Sequence, residues 1–242
     1  DQDSLRRFER EARASAKLSH PNIVAVFDYG RTSLAEGAFL VMELVPGGTL
    51  RSELVAAAAL PSPVVADWFD QVLDGVNAAH GAGVIHRDLK PENILIIKSD
   101  HNRALIKVLD FGLAKLKLHD TAHSGSLTAP GVIMGTINYM SPEQLAGDEV
   151  DERSDIFALG VIIVEALTGS RPFAGATLLE LQNAILRRSF NLEGTSPEVV
   201  RLDKVLQRCL AKDPRQRYST VGEVQKDLIP AIRGLAESAR LG

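Results

Sequence analysis

An α+β fold follows from three observations on this 242-residue chain. Two strand-like apolar runs, "NIVAVFDYG" and "AFLVMEL", stand close together near its start. "VPGG" breaks that pattern at Pro46 to Gly48. Most of the chain beyond Gly48 repeats its apolar residues at helical spacing.

Leu5, Phe8, Ala12 and Ala16 recur at helical spacing and predict an amphipathic helix ending before "SHPN". "RTSLAEG" is the turn between the two strands. "PSPVVADWFDQVLDGVNAAHGAG" predicts a helix with Ser62 as N-cap and Pro63 at its first position. Val65, Trp68, Phe69, Val72, Leu73 and Val76 form its apolar face. "ILII" and "ALIKVL" flank the polar turn "KSDHNR" and predict a hairpin. The polar stretch from Lys115 to Met134 is long for a connector, and such loops are usually functional or mobile. "SDIFALGVIIVEALTG" is apolar on nearly every side and predicts a core helix stopped by Gly169. Three further helices come after it, one starting at Ser196-Pro197 and the last capped by a Thr220/Glu223 box.

Composition narrows the function classes. With 45% hydrophobic and 24% charged residues the chain is ordinary for a globular enzyme. A net charge of −4 argues against a broad nucleic-acid or anionic-membrane surface. No apolar run is long enough to span a bilayer, and no signal peptide opens the chain. The single cysteine, Cys209, rules out an internal disulfide, suits a reducing cytoplasm and reads as a buried inert thiol.

Three motifs carry chemistry. "HRDLKPEN" at His86 to Asn93 fixes eight residues in a row, a chance match on the order of 10⁻¹⁰ per window. "DFG" at Asp110 to Gly112 is weak alone but comes after the second hairpin strand, in the right order. "GTINYMSPEQ" at Gly135 to Gln144 closes the segment. Together they resemble the catalytic loop, metal-binding loop and activation segment of protein kinases. "RSDIFALGVIIVEALTGSRPF" is similar to bacterial eukaryotic-like Ser/Thr protein kinases, and the likeness runs from Phe8 to about Leu228.

The resemblance implies a bilobal protein-kinase-like fold. A truncated small β lobe would occupy residues 1–45 and a mainly helical large lobe residues 46–242. It implies transfer of the ATP γ-phosphate to Ser/Thr hydroxyls of proteins with Mg²⁺, or Mn²⁺ in its place. Phosphoryl transfer needs charge neutralisation, in-line positioning and a proton acceptor. Asp88 matches the carboxylate that orients the hydroxyl and accepts its proton; Asn93 and Asp110 match the metal ligands. Lys90 matches the lysine that stabilises the transferring phosphate, and Thr136 the threonine beside it, a pair that favours Ser/Thr over Tyr. Met42 corresponds to the gatekeeper, the backbones of Glu43 and Val45 to the adenine-facing hinge, and Leu95 to the adenine floor.

Other positions read as support or regulation on the same resemblance. His86 would pack on Phe111 as a structural histidine, and the other five histidines read as surface or packing residues. Asp155 would brace the backbone of His86 and Arg87, and Glu143 would pair with Arg217. Arg87 invites an activation-loop phosphate, with Thr128 the first candidate and Thr121, Ser124 and Ser126 behind it. Such phosphorylation could come from a second copy, in a kinase–kinase dimer. Glu11 matches the helix glutamate that pairs with the nucleotide-binding lysine, while Ser15 stands where the family usually has a larger apolar residue.

No lysine precedes Glu11, and no glycine-rich loop precedes it either. The expectation is therefore a chain starting at the regulatory helix, binding ATP–Mg²⁺ weakly on its own. Losing one such charge donor typically costs roughly 10²–10³ in rate. A pseudokinase scaffold is the alternative that the intact Asp88, Asn93 and Asp110 oppose; a small-molecule kinase is opposed by the "GT…SPE" segment.

Overall fold

The computed structural model describes residues 13–31, 38–98, 104–111 and 137–241, with side chains to residue 235. The expected α+β architecture is present. Strands β1 (Val26–Arg31) and β2 (Ala38–Met42) form an antiparallel ribbon with a bulge between Val26 and Asp28. Strands β3 (Gly48–Thr49), β4 (Ile94–Lys98) and β5 (Ala104–Val108) form an antiparallel sheet in that order. The predicted hairpin is thus β4–β5, with Ile96 opposite Ile106. A short α1 (Leu50–Ala57), not expected from the sequence pattern, begins at Thr49, whose side chain accepts from the Ser52 N–H in a capping box.

Helix α2 (Ser62–Gly81) buries Val65, Phe69, Val72, Leu73 and Val76, and Trp68 is half-buried. Its N-cap is Pro61 rather than Ser62, and no side chain caps it. Proline fixes φ near −57° there, which pre-sets the chain entry without a hydroxyl. Gln71 ties α2 to β5: its Oε1 accepts the Ile106 N–H at 3.0 Å and its Nε2 donates to the Ala104 carbonyl at 3.0 Å. Asn22 joins the same cluster, donating to Gln71 Oε1 at 3.1 Å and to the Ile106 carbonyl at 2.8 Å. Gly75 lets this happen, since a β-carbon there would lie 2.8 Å from the Asn22 carbonyl oxygen. Ile23 then pairs with Val108, so the segment ahead of β1 docks on the β3–β4–β5 sheet.

The remaining helices are α3 (Pro142–Ala146), α4 (Glu152–Thr168), α5 (Leu178–Arg187), α6 (Pro197–Cys209) and α7 (Val221–Leu241). Every residue of α4 from Ser154 to Ala166 is buried, and Gly169 ends it in the left-handed conformation at φ 74°. It packs against α2 and α6. Ser196 caps α6 as expected. Thr220 accepts the Glu223 N–H at 3.2 Å, but Glu223 returns to the Ser219 N–H, one residue before the expected partner. Cys209 is buried, and burial pushes its thiol up to about 12. Among the described residues no helix is long and apolar enough to cross a membrane.

Candidate active site

The 86–93 segment enters from α2 and leaves through a 3-10 turn, Pro91–Asn93, into β4. It is irregular backbone, so its polar groups need partners from outside. Asp155, buried at the start of α4, supplies them. Its Oδ2 accepts the His86 N–H and its Oδ1 the Arg87 N–H, each at 2.8 Å. Gln144 of α3 donates to the Arg87 carbonyl at 2.7 Å. Arg87 is thereby held at φ 66°, a left-handed conformation that a side-chain-bearing residue rarely adopts unless over-determined.

Burial alone would raise the Asp155 carboxyl, but the hydrogen bonds from the His80 ring and the His86 N–H hold it below the usual carboxylate range. His80 Nε2 lies 2.8 Å from Oδ2 of Asp155. This corrects the expectation that His80 is a surface or packing histidine. It is buried and bonded at the loop's main anchor, four residues past Val76 on the helix's buried face. That spacing was the available signal.

His86 is fully buried, as a structural histidine should be. Its Nδ1 accepts the Asp88 N–H at 3.2 Å, so the ring proton sits on Nε2, which reaches the Leu109 carbonyl at 2.7 Å. Burial lowers its pKa, and the ring rests edge-on against Phe111 with centroids 4.8 Å apart. An imidazole so committed has no free nitrogen for catalysis.

On the open side of the segment, Lys90 Nζ lies 2.8 Å from Oδ2 of Asp88, with side-chain exposures of 18% and 12%. Asn93 is buried and spends its amide Nδ2 on the Asp88 carbonyl at 2.9 Å. That leaves Oδ1 as its oxygen donor. The Asn93 carbonyl accepts the Leu109 N–H at 2.8 Å, which brings Asp110 alongside. Asp110 is left-handed, at φ 64°.

Two oxygen-bearing side chains are too few for a protein-only cage and suit a divalent cation shared with phosphates and water. No cluster of three or more His, Cys, Asp or Glu suited to a metal occurs among the described residues.

The segment after the second motif is welded beneath. Glu143 of α3 takes a bidentate pair from Arg217, at 2.6 and 2.8 Å, and a 2.5 Å bond from Ser154. Burial opposes its ionisation, but Arg217 and Ser154 outweigh that and keep the carboxyl low. Arg51 of α1 was not foreseen. It reaches Glu92 at 2.9 Å, Glu165 of α4 at 3.0 Å and the Tyr139 hydroxyl, while that hydroxyl donates to Glu165 at 2.6 Å. No local pattern marks Arg51, since its partners lie 41 to 114 residues away.

At the edge of β2, Met42 borders a mainly apolar cavity with Ser15, Leu18, Ile23, Leu40 and Phe111. The Glu43 N–H bonds the Ala25 carbonyl at 2.9 Å. Its side chain turns back to Lys107 of β5 at 2.9 Å, and that ammonium keeps the Glu43 carboxyl low. Val45 and Leu95 are half-buried, the latter on β4 opposite Lys107. Gly47 keeps this corner tight, since a β-carbon there would fall 2.2 Å from the Ile96 carbonyl oxygen. Glu11, Thr128 and Thr136 lie outside the described residues.

Comparisons agree with this geometry. The protein kinase domain family matches residues 1–229. The chain is 40% identical over 241 residues to the serine/threonine-protein kinase PknL of Mycobacterium tuberculosis, covering 98% of this chain and 57% of that protein. It is 39% identical over 235 residues to the serine/threonine-protein kinase PknB of Mycobacterium leprae, covering 94% of this chain and 36% of that one. The chain therefore spans less than two thirds of either relative. A crystal structure of the PknI kinase domain of Mycobacterium tuberculosis, as a double mutant, superposes with a TM-score of 0.68 at 25% identity, covering 96% of this chain and 80% of that one. By sequence and by fold, this chain belongs to the protein kinase domain family.

Proposed function

We propose that this chain provides the catalytic machinery of a Ser/Thr protein kinase, passing the γ-phosphoryl group of ATP to a protein hydroxyl. The observation that carries the reading is the 86–93 turn. There a part-exposed carboxylate on Asp88, the Lys90 cation at 2.8 Å and the Asn93 amide oxygen share one rigidly anchored loop.

In this reading Asp88 orients the acceptor hydroxyl and takes its proton as the new O–P bond forms and the bond to ADP breaks. Lys90 offsets charge on the transferring group, and Thr136 supports the pair. Asn93 Oδ1 and the Asp110 carboxylate would hold Mg²⁺, or Mn²⁺ in its place, which when bound neutralises phosphate oxygens. Met42, the backbone of Glu43 and Val45, and Leu95 would line the adenine site, and Glu11 would orient a phosphate-binding lysine. Arg87 would meet a phosphate on Thr128, placed there by a second copy of the kinase. A division near residue 45 between a small and a large lobe belongs to the same reading, as do protein substrates and a cytoplasmic location.

The test uses the intact natural protein with labelled ATP and Ser- or Thr-bearing protein acceptors. Asp88→Asn is expected to lower kcat by roughly 10²–10⁴-fold. Full transfer by that variant, or none by the unmodified protein, would sink the proposal.

A further inference from the structure

Ser15 sits in the last helical residues before the "SHPN" break and is 5% exposed. Its hydroxyl donates to the Phe111 carbonyl at 2.5 Å, across 96 residues of sequence. That carbonyl belongs to Phe111, the residue immediately after Asp110.

Asp110 occupies the left-handed region, which a residue with a β-carbon leaves readily unless its neighbours are pinned. Three anchors come from the 86–93 segment: the Asn93 carbonyl takes the Leu109 N–H, His86 Nε2 donates to the Leu109 carbonyl, and the His86 ring meets the Phe111 ring. Two of the three lie before Asp110, and the third holds the Phe111 ring rather than its backbone. The Ser15 bond fixes the Phe111 carbonyl, on the other side of Asp110 from Leu109.

The surroundings make the choice of serine informative. Leu18, Ile23, Leu40 and Met42 line the adjoining cavity, where a larger apolar side chain would bury more surface. In such surroundings a hydrogen bond is electrostatically strong, and an abandoned carbonyl is costly.

We propose that Ser15 is a positioning residue for metal binding: its hydroxyl clamps the carbonyl of Phe111, the residue after Asp110, and so helps hold Asp110 in the conformation that presents its carboxylate to a divalent cation. This rests on the reading of Asp110 as a metal ligand.

The experiment titrates Mn²⁺ into the intact protein with ADP, counting free Mn²⁺ by electron paramagnetic resonance, for Ser15→Ala, Ser15→Leu, Ser15→Thr and Asp110→Asn. Loss of one hydrogen bond predicts Mn²⁺ affinity weakened by roughly 3–10-fold in Ser15→Ala and Ser15→Leu. Ser15→Thr keeps the hydroxyl and restores affinity, while KM for the protein acceptor stays level in all three. Unchanged affinity in Ser15→Ala, or full affinity in Ser15→Leu, overturns the clamp; the latter would make the position one of packing. The leucine–threonine contrast decides even where alanine lowers the melting temperature. Asp110→Asn separates the two readings. Retained Mn²⁺ binding there removes the metal assignment itself, whereas its loss beside an unaffected Ser15→Ala removes the clamp alone.

Discussion

His80 and Asp155 meet through a 2.8 Å contact between Nε2 and Oδ2, and the same carboxylate holds the backbone N–H groups of both His86 and Arg87. One buried anion at the start of α4 thus sets the height of the catalytic turn. Asp155→Ala is expected to strand these donors and cost about 3–5 kcal/mol of stability. Because the Asp155 carboxyl ionises below its ordinary 3.8, the folded state binds fewer protons than the unfolded one in that window. Its stabilisation is full above about pH 4 and is lost as pH falls through the depressed value. Acid unfolding measured by circular dichroism should therefore flatten below pH 4 in the variant; an unchanged profile would refute the role.

His86 should remain neutral across the working range. Burial depresses its pKa below 6.5, and Nδ1 already accepts the Asp88 N–H. Folding is thus favoured above pH 6.5 and loses this contribution as pH falls through the lowered value. Nitrogen NMR of labelled imidazole should show Nε2–H and a bare Nδ1 at pH 6.5. A ring half-protonated above pH 7 would contradict the assignment.

Glu143 and Arg217 form a buried pair whose members, removed singly, leave an unmatched charge. Arg217→Met should cost about 3–5 kcal/mol in chemical denaturation, while the double change with Glu143→Gln should recover part of that loss. Strict additivity of the two single costs would show that the pair is not coupled.

Tyr139 links Arg51 to Glu165, and burial with the Glu165 carboxylate pushes its phenol above the usual range. Tyr139→Phe should cost about 1–3 kcal/mol by removing one charge-assisted hydrogen bond each from Arg51 and the buried Glu165. The wild-type phenol contributes stability that is full below pH 10 and declines as pH rises through the raised value. An ultraviolet titration in which Tyr139→Phe removes a phenolate signal at pH 10 in the folded protein would exclude this environment.

Much of the site was legible because its chemistry is concentrated in short strings. "HRDLKPEN" fixes a carboxylate, a lysine and an asparagine within six residues, and the apolar periods of α2 and α4 arise from side-chain spacing alone. Gly169 as the stop of α4 and Ser196 as the cap of α6 are equally local. The pairings of Asp155 with His86 and Arg87, and of Glu143 with Arg217, came from family resemblance, since nothing local joins residues 68 to 74 positions apart.

Tertiary structure decided the rest. Which partner satisfies a buried charge depends on which helices meet, and so Arg51 found Glu165, and His80 found Asp155, without a sequence signal for either pairing. The Ser15 hydroxyl shows the same limit: in sequence it is a small residue at an apolar position, and in the fold it holds the backbone beside Asp110. Sequence determined what each element is and which groups can do chemistry, because backbone propensity and side-chain type act locally. The fold alone determined how those groups are held, because desolvation and hydrogen-bond geometry depend on neighbours far along the chain.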